Sequence, residues 1–392
     1  MVALGLAAYA CAPGALADRP APAPVRAASY QPDRLVVTFT AATATRTAAH
    51  ALVGVRSAFA LDPRTHVVTL SPGADLDAAA ARYRAVPGVV AAEPNWVFRA
   101  SSGPNDPAFR QEWGLHNDGQ PAAGSRGARD ADIDAPEGWA AAYGPGRYPA
   151  GGGTLVGIID TGVDRAHPDL DGKVVACASA VTGSGRVVEG ACADDNGHGT
   201  HVAGIVGALT DNGAGVAGVA PDARLAVFKA LDATGIGYDA DIVAGVRWLR
   251  SAGAQVINMS FGDVNRTSVL EHELAEAAAA GVLLVAASGN EGDRTENYPA
   301  FHPDVISVGA IDAAGARAAF STCNHDVEVA APGASILSTA LGGGYAAQSG
   351  TSMAAPHVAG VGALLMSVRG LDAHQARRAI VEATERSAGC NG

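Results

Sequence analysis

A short apolar run, Leu155–Ile159, constrains the fold of this 392-residue chain more than any other feature. It contains no polar residue, and it leads into Asp160, Thr161 and Gly162. Such a run beside glycine-containing turns is typical of a strand that is buried on both faces, as in a parallel sheet. Open α/β sheets place their active sites at the carboxyl ends of these strands. The run therefore predicts an α/β fold, with a parallel sheet flanked by helices and Asp160 at its active edge.

A buried carboxylate at that position needs a partner, and a histidine is the natural one. His198 follows a glycine-containing turn and opens a helix whose apolar part is predicted over 202–209. Two alternatives remain open, since Asp160 could be a turn aspartate and His198 with His201 could bind a metal. The metal alternative is the weaker one, because the H-x-x-H spacing lacks the glutamate of H-E-x-x-H.

Ser352 lies among small residues where a loop leads into an apolar helix predicted over 358–366. Backbone N–H groups at a helix N-terminus are unpaired and the helix dipole is positive there, so an oxyanion beside Ser352 would be stabilised. We expect Pro356 in the first turn, where its missing N–H costs nothing. The alternative is a serine that only caps the helix.

The three residues give the chain order Asp, His, Ser, which is the order found in subtilisin. The stretches around them, Ile158–Val163, Asn196–His201 and Ser349–His357, closely resemble the three motifs of the subtilisin-like serine proteases, the subtilases. The resemblance extends over roughly 105–384. It implies peptide-bond hydrolysis with a catalytic triad of Asp160, His198 and Ser352.

The resemblance also gives roles to neighbouring residues. Asn290, after the strand-like run 282–287, matches the asparagine that the family places in its oxyanion hole; a turn asparagine is the alternative. His201 and His357 recur in the family, and we interpret both as structural residues on packed helix faces.

The resemblance implies recognition of substrate as an added β-strand. Segments 258–262 and 235–237 resemble the strands on either side of the substrate, and Phe261 in place of the usual leucine should narrow a hydrophobic subsite. No charge is expected along the wall of the primary pocket, so we expect a bulky apolar or broad preference. The residues expected to contact substrate are Ser260, Phe261, Gly262, Gly235, Gly237, Ala287, Ser288 and Gly289.

Calcium is the cofactor that the resemblance implies. Segments 105–107 and 167–170 resemble two family segments that each give one carboxylate to a shared ion, and 209–216 resembles the loop that supplies the other oxygens. Six or more oxygens with two negative charges suit Ca²⁺. The alternative is a plain turn with solvated aspartates. The implied ligands are the side chains of Asp106, Asp169 and Asn212 and the carbonyl groups of Leu209, Ala214 and Val216.

The N-terminal quarter of the sequence indicates a secreted precursor. Residues 1–17 resemble a signal peptide cut after Ala17, with lipidation of Cys11 as the weaker alternative, and 18–33 are a Pro/Ala-rich linker. Segment 34–99 has a β-α-β-β-α-β pattern, which suggests a ferredoxin-like domain. It resembles the subtilase propeptide, an intramolecular chaperone and inhibitor; an unrelated small domain is the alternative. We assign 100–392 to the catalytic domain, and we expect no segment after residue 17 to be long and apolar enough to span a membrane.

Composition narrows the possible functions. A hydrophobic content of 48% supports a sizeable core, and the net charge of −12 argues against nucleic-acid binding. Nucleotide binding is disfavoured, because Gly151–Gly153 precede the strand and no G-x-x-x-x-G-K is present. A silent binding homologue would have lost a triad or oxyanion residue, and none is lost here. We expect a monomer that acts on proteins or peptides; a narrow processing protease is the alternative to a broad one.

Five cysteines are present, and removal of a signal peptide would leave four, which permit three pairings. Cys177 and Cys192 bracket one loop, so we favour a bond between them. Cys323 and Cys390 would then hold the C-terminal tail.

Overall fold

The structure, a computed structural model, describes residues 7–8, 30–40, 43–96, 103–122 and 125–386. The chain divides into two compact units, one of Met1–Asp18 with Ser102–Gly392 and one of Arg19–Ser101. The first strand along the chain, β1 (Ala7–Ala8), belongs to the larger unit. The other predicted signal-peptide residues, Cys11 and the linker up to residue 29 lie outside the described residues.

The smaller unit is an antiparallel sheet packed against two helices. Its sheet order is β3-β4-β2-β5, and Leu35, Phe39, Val68 and Tyr83 are buried between sheet and helices. This is the predicted ferredoxin-like order, although the first strand begins at Tyr30, four residues before the expected domain boundary. The elements are β2 (Tyr30–Phe39), α1 (Thr43–Val53), β3 (Ser57–Ala60), β4 (Thr65–Thr69), α2 (Leu76–Arg84) and β5 (Val89–Trp96).

The larger unit is built on a ten-stranded sheet with the order β10-β9-β11-β8-β12-β13-β14-β15-β1-β18. From β9 to β15 every neighbouring pair is parallel. The parallel sheet flanked by helices is therefore confirmed. The elements are β6 (Pro121–Ala122), β7 (Ser125–Arg126), α3 (Ala135–Tyr143), β8 (Leu155–Asp160), β9 (Val174–Ser179), β10 (Val188–Glu189), α4 (His198–Gly207), β11 (Arg224–Lys229), α5 (Asp239–Ser251), β12 (Val256–Met259), α6 (Ser268–Ala279), β13 (Leu283–Ala287), β14 (Val305–Ile311), β15 (Val327–Pro332), β16 (Ile336–Ala340), β17 (Gly344–Gln348), α7 (Thr351–Arg369), α8 (Ala373–Ala383) and β18 (Glu385–Arg386).

Strand β8 explains the uninterrupted apolar run, because every one of its residues is buried. Val156 and Ile158 belong to the apolar cluster that includes residues of α4 and α7, whereas Leu155 and Ile159 belong to the cluster that includes residues of α5 and α6. Each such side chain contributes about 1.5–3 kcal/mol when fully buried. A polar residue on either face of β8 would therefore be costly, except at the strand end, where Asp160 lies.

Helix α7 begins earlier than the sequence pattern predicts. It begins at Thr351, so Pro356 lies in its second turn and the prediction of a first-turn position is wrong. By length and composition α7 could cross a membrane, contrary to the expectation that no segment could. Most of its residues are buried within the larger unit, however, which makes it a core helix. Helix α4 begins at His198, so the prediction that His198 opens a helix is confirmed.

Candidate active site

Asp160 and His198 form the centre of the candidate site. Asp160 ends β8 with no exposed surface, and its Oδ1 lies 2.7 Å from Nδ1 of His198, the first residue of α4. A Cβ on Gly199 would collide with the Gly162 carbonyl group, so only glycine lets α4 begin this close to β8. The His198 side chain is 25% exposed, and one side of the imidazole is therefore accessible.

The electrostatics of this pair favour a charged imidazole. Burial lowers the pKa of His198, but the charge of Asp160, its hydrogen bond and the nearby charge of Asp194 together raise that pKa above its usual value. His198 can therefore hold a proton while Asp160 remains beside it. This is the electrostatic behaviour that a general base requires in order to accept a proton during a reaction.

Ser352 is the second residue of α7 and is half-buried. Its Oγ donates to the carbonyl oxygen of Ser260 at 3.0 Å, and its own carbonyl oxygen accepts from Ser260 Oγ at 2.8 Å. The described contacts of Ser352 and His198 include no hydrogen bond between the two side chains. An attack assisted by His198 would therefore require the Ser352 hydroxyl to leave the Ser260 carbonyl group.

The amide of Asn290 lies close to the start of α7. Its Oδ1 accepts hydrogen bonds from the N–H and the hydroxyl group of Thr351, at 2.8 and 3.1 Å. Its Nδ2 and the backbone nitrogen of Ser352 each lie 3.6 Å from the point where a Cβ on Gly350 would sit. Two N–H donors thus border the space beside Gly350.

The predicted substrate segments occupy ordered positions. Ser260 is buried just beyond β12, Phe261 is half-buried and Gly262 is exposed. After β11 the chain makes a tight turn, in which Gly235 has a φ of +80° and Gly237 pairs antiparallel with Leu231. Gly235 and Gly262 are exposed, so the backbone at these two positions is open to pairing with a substrate strand.

The predicted pocket wall contains a feature that sequence reasoning missed. Ala287 and Ser288 are buried, and Gly289 has a φ of +112°. A carboxylate oxygen of Glu291 lies 2.6 Å from the point where a Cβ on Gly289 would sit, so a carboxylate lies beside this segment. That oxygen accepts from Asn297 Nδ2 and Thr322 Oγ1, and these two hydrogen bonds hold the carboxylate near Gly289. The expectation of an uncharged wall toward the substrate stays a prediction.

The predicted calcium side chains are brought together. Asp169 accepts from Asn212 Nδ2 at 2.8 Å and from the Val216 N–H at 2.9 Å. Asp106 accepts from the N–H groups of Asp211 and Asn212. The loop that carries the Leu209, Ala214 and Val216 carbonyl groups therefore joins both aspartates.

A third carboxylate, Glu112, adds to this acidic site, and sequence reasoning missed it. It is buried and accepts from the Ala217 N–H at 2.9 Å. Burial, together with the charges of Asp106 and Asp169, holds the pKa of Glu112 well above its usual value. In the described part of the chain no lysine or arginine pairs with any of the three carboxylates. The donor set therefore fits a hard cation with oxygen ligands.

Both remaining motif histidines are packed inside the unit. His201 Nε2 lies 3.0 Å from the carbonyl oxygens of Ile336 and Ala346, and His357 Nδ1 lies 2.8 Å from that of Met353. Burial lowers both pKa values to about 4. Neutral, buried imidazoles with backbone partners support the structural interpretation.

A disulfide joins Cys177 in β9 to Cys192, six residues before His198, so the favoured pair is confirmed. Cys390 lies outside the described residues, and its bond to Cys323 stays a prediction.

Comparison with known proteins identifies the family. The sequence model of the Subtilase family matches residues 151–391, and that of the fervidolysin N-terminal prodomain matches residues 17–95. The chain therefore belongs to the subtilase family, with an N-terminal prodomain. It is, by class, a serine endopeptidase.

Individual relatives agree with this assignment. A thermophilic serine proteinase of Bacillus sp. (strain AK1) is 39% identical over 304 residues, which cover 77% of this chain and 69% of the relative. Subtilisin DY of Bacillus licheniformis is 46% identical over 221 residues, which cover 55% of this chain and 78% of the relative. Among solved structures, a protease of Pseudoalteromonas arctica PAMC 21717 superposes with a TM-score of 0.59 at 29% identity, covering 68% of this chain and 87% of that one.

Proposed function

We propose that this subtilase hydrolyses peptide bonds with Asp160, His198 and Ser352 as its catalytic triad. The observation that carries the proposal is the 2.7 Å hydrogen bond that a partly accessible imidazole donates to a fully buried carboxylate. Ser352, at the start of the adjacent core helix α7, supplies the hydroxyl group.

Each residue has a distinct role in the reaction. Ser352 Oγ attacks the substrate carbonyl carbon while His198 accepts its proton. Asp160 fixes the imidazole tautomer through Nδ1 and stabilises the imidazolium without taking the proton itself. His198 then returns the proton to the leaving amine, and water repeats the sequence on the acyl-enzyme.

The charge of the tetrahedral intermediate would be stabilised beside Gly350. Asn290 Oδ1 is already engaged by Thr351, which leaves Nδ2 free to donate to an oxyanion together with the Ser352 N–H. Donors that are fixed before the reaction need no reorganisation when the charge develops.

The substrate would bind as an extended strand along Ser260–Gly262 and Gly235–Gly237. We propose a broad or bulky apolar preference at the pocket bordered by Ala287–Gly289. The Glu291 oxygen nearest this wall already accepts two hydrogen bonds, which limits its attraction for a basic side chain.

Calcium would be held by Asp106, Asp169, Asn212 and the carbonyl groups of Leu209, Ala214 and Val216. The ion would neutralise buried negative charge and hold the 209–216 loop to both aspartates; it would supply stability and take no part in bond cleavage.

We further propose a secreted precursor, with residues 1–17 as signal peptide, 18–33 as linker, 34–99 as inhibitory propeptide and 100–392 as catalytic domain. The mature enzyme would act as a monomer on protein or peptide substrates. The prodomain match and the bacterial relatives support this assignment.

Replacement of the nucleophile tests the proposal. Ser352→Ala should lower kcat by about 10⁶-fold, as in subtilisin, and abolish labelling by a fluorophosphonate. Ser268→Ala is the matched control, because Ser268 also begins a helix but lies far along the chain and is exposed. Retention of hydrolysis and labelling in Ser352→Ala would overturn the proposal, whereas loss of both only in that variant would support it.

A further inference from the structure

One carboxylate close to the triad has no role in the reaction described above. Asp194 lies four residues before His198, and its side chain is half-buried. It accepts five hydrogen bonds, which is an unusually complete set for one carboxylate. The donors are the N–H groups of Asn196 (3.1 Å), Gly197 (2.9 Å) and Thr200 (2.9 Å) and the hydroxyl groups of Thr161 (2.8 Å) and Thr200 (2.6 Å).

Thr161 connects Asp194 to both members of the Asp–His pair. Its N–H donates to Asp160 Oδ1 at 2.7 Å. Its hydroxyl group donates to Asp194 and accepts from the N–H of Gly199 at 2.9 Å. The residue after Asp160 is thereby joined to the residue after His198. Because Asp194 also binds the two residues before His198, the imidazole is held from both sides along the chain.

Asp194 keeps its negative charge in this position. Burial raises its pKa, but the hydrogen bonds from Thr200, Gly197 and Asn196 outweigh burial and lower the pKa below the usual value. The nearby cation Lys229 pairs with Asp195 at 2.6 Å instead. A fixed anion therefore lies within electrostatic range of His198.

We propose that Asp194 is a positioning residue of this active site, which holds the Asp160–His198 geometry through Thr161 and stabilises the imidazolium with a second negative charge. This inference rests on the triad mechanism proposed above. Asp194 would then affect kcat and its pH dependence through His198. A residue that only caps the loop would affect neither.

The charge makes the inference testable by pH. The ionisable groups that interact electrostatically with His198 are Asp160, Asp194 and His201. His201 is neutral, because burial lowers its pKa to about 4. The Asp194 charge raises the pKa of His198, so its removal should lower that pKa. Activity requires neutral His198 and is lost as the pH falls through its pKa. The acid limb of the kcat/KM profile should therefore move to lower pH in Asp194→Asn.

The experiment compares two kinds of variant in the mature enzyme, with kcat expressed per active site titrated by a fluorophosphonate. Asp194→Asn should lower kcat about 10- to 100-fold, because hydrogen bonds to a charged group are lost, and should move the acid limb. Thr161→Val should lower kcat about 10-fold without moving the limb, because the charge remains; Thr161→Ser should stay within about threefold of the parent. KM should change little in all three.

Asp312→Asn is the control, since Asp312 accepts two backbone hydrogen bonds in a turn outside the site. It should change neither kcat nor the pH profile. The inference is overturned if the acid limb of Asp194→Asn stays at the parent's pH, or if Thr161→Val and Thr161→Ser have the same kcat. It is also overturned if Asp194→Asn has fewer titratable active sites but the parent's kcat per site. Should Asp194→Asn fail to fold, the Thr161 pair decides alone. Failure of the triad mechanism is separate, since it would appear as activity in Ser352→Ala.

Discussion

Ser260 and Ser352 exchange two hydrogen bonds, each hydroxyl group donating to the other residue's carbonyl oxygen. The bond to the Ser352 carbonyl group depends on Pro356, which has no N–H and so leaves the carbonyl group four residues earlier without its helical partner. Ser260 takes that place. The start of α7 is therefore joined to the end of β12, and the proposed nucleophile is positioned by the sheet as well as by its own helix.

Asn290→Ala should lower kcat about 10²–10³-fold with little change in KM, because it removes a donor needed mainly in the transition state; the magnitude is that of the corresponding subtilisin change. Initial rates of hydrolysis of a chromogenic peptide, measured over a range of substrate concentrations, give both constants. Asn265→Ala removes an exposed turn asparagine and should have no effect. Equal activity of the two variants would mean that Asn290 is only a turn residue.

Calcium should raise the melting temperature of the mature enzyme. A ligand that binds only the folded state stabilises it by about 2.7 kcal/mol at a hundredfold excess over Kd. A chelator should lower the melting temperature, and excess calcium should restore it. Asp169→Asn should have a lower melting temperature that responds to neither chelator nor calcium. Asp171 is exposed, so Asp171→Asn should behave like the parent. Melting that ignores chelator and calcium in the parent would exclude the site.

Residues 30–99, added separately, should inhibit the mature enzyme competitively. This segment contains the whole of β2 and has its own buried core, so it has the elements needed to fold. If its C-terminus enters the cleft as a product does, removal of residues 94–99 should weaken inhibition sharply. Circular dichroism must show that the shortened segment still folds, because Pro94 pairs with Leu35 in the sheet. Equal inhibition by both lengths would contradict the proposed docking of the C-terminal strand.

Acid should destabilise the smaller unit, which contains a histidine pair. His50 Nε2 lies 3.1 Å from His66 Nδ1, and His50 Nδ1 lies 2.7 Å from the Tyr83 hydroxyl oxygen. Burial lowers both histidine pKa values; for His50 the charges of His66 and then Arg46 add to this, and for His66 that of Arg46 does. Both pKa values are depressed on folding, so stability is fully present above the ordinary value of 6.5 and is lost as the pH falls below it.

Hydrogen exchange on the uncut Ser352→Ala precursor measures this loss directly. The protection of backbone amides in β2 and β4 should decrease as the pH is lowered from neutral to below 6.5. His66→Gln should weaken the pH dependence, and His272→Gln, on α6 of the other unit, should leave it unchanged. Protection that does not depend on pH would exclude a titrating pair.

The sequence predicted the parallel sheet and the ferredoxin-like order because both follow from local patterns. Leu155–Ile159 has the composition of a strand buried on both faces, and the six elements of the smaller unit alternate in clear blocks. The positions of Asp160, His198 and Ser352 were identified by their motifs, and their catalytic roles stay predictions.

Features that depend on distant contacts were missed. Glu112 looks like an ordinary surface glutamate in the sequence, and only folding brings it to Asp169. Glu291 follows Gly289 by two residues, but only folding brings it to Thr322, which binds its carboxylate. The start of α7 was placed too late because Pro356 suggested a first turn, although the Ser260 hydroxyl compensates for the missing N–H. Asp194 offered one weak signal, an acidic residue four positions before a motif histidine.

The position of α7 late in the chain order has a consequence during synthesis of the enzyme. Asp160 and His198 are synthesised well before Ser352, which follows only after β8 to β17 have been made. Domains tend to form as the chain emerges, from the N-terminus onward. While residues 199–351 are being synthesised, the nascent chain therefore has the proposed base and its orienting carboxylate but not the proposed nucleophile. With the proposed triad, chain order alone would keep the enzyme inert toward the ribosome and its neighbouring nascent chains until Ser352 has been added.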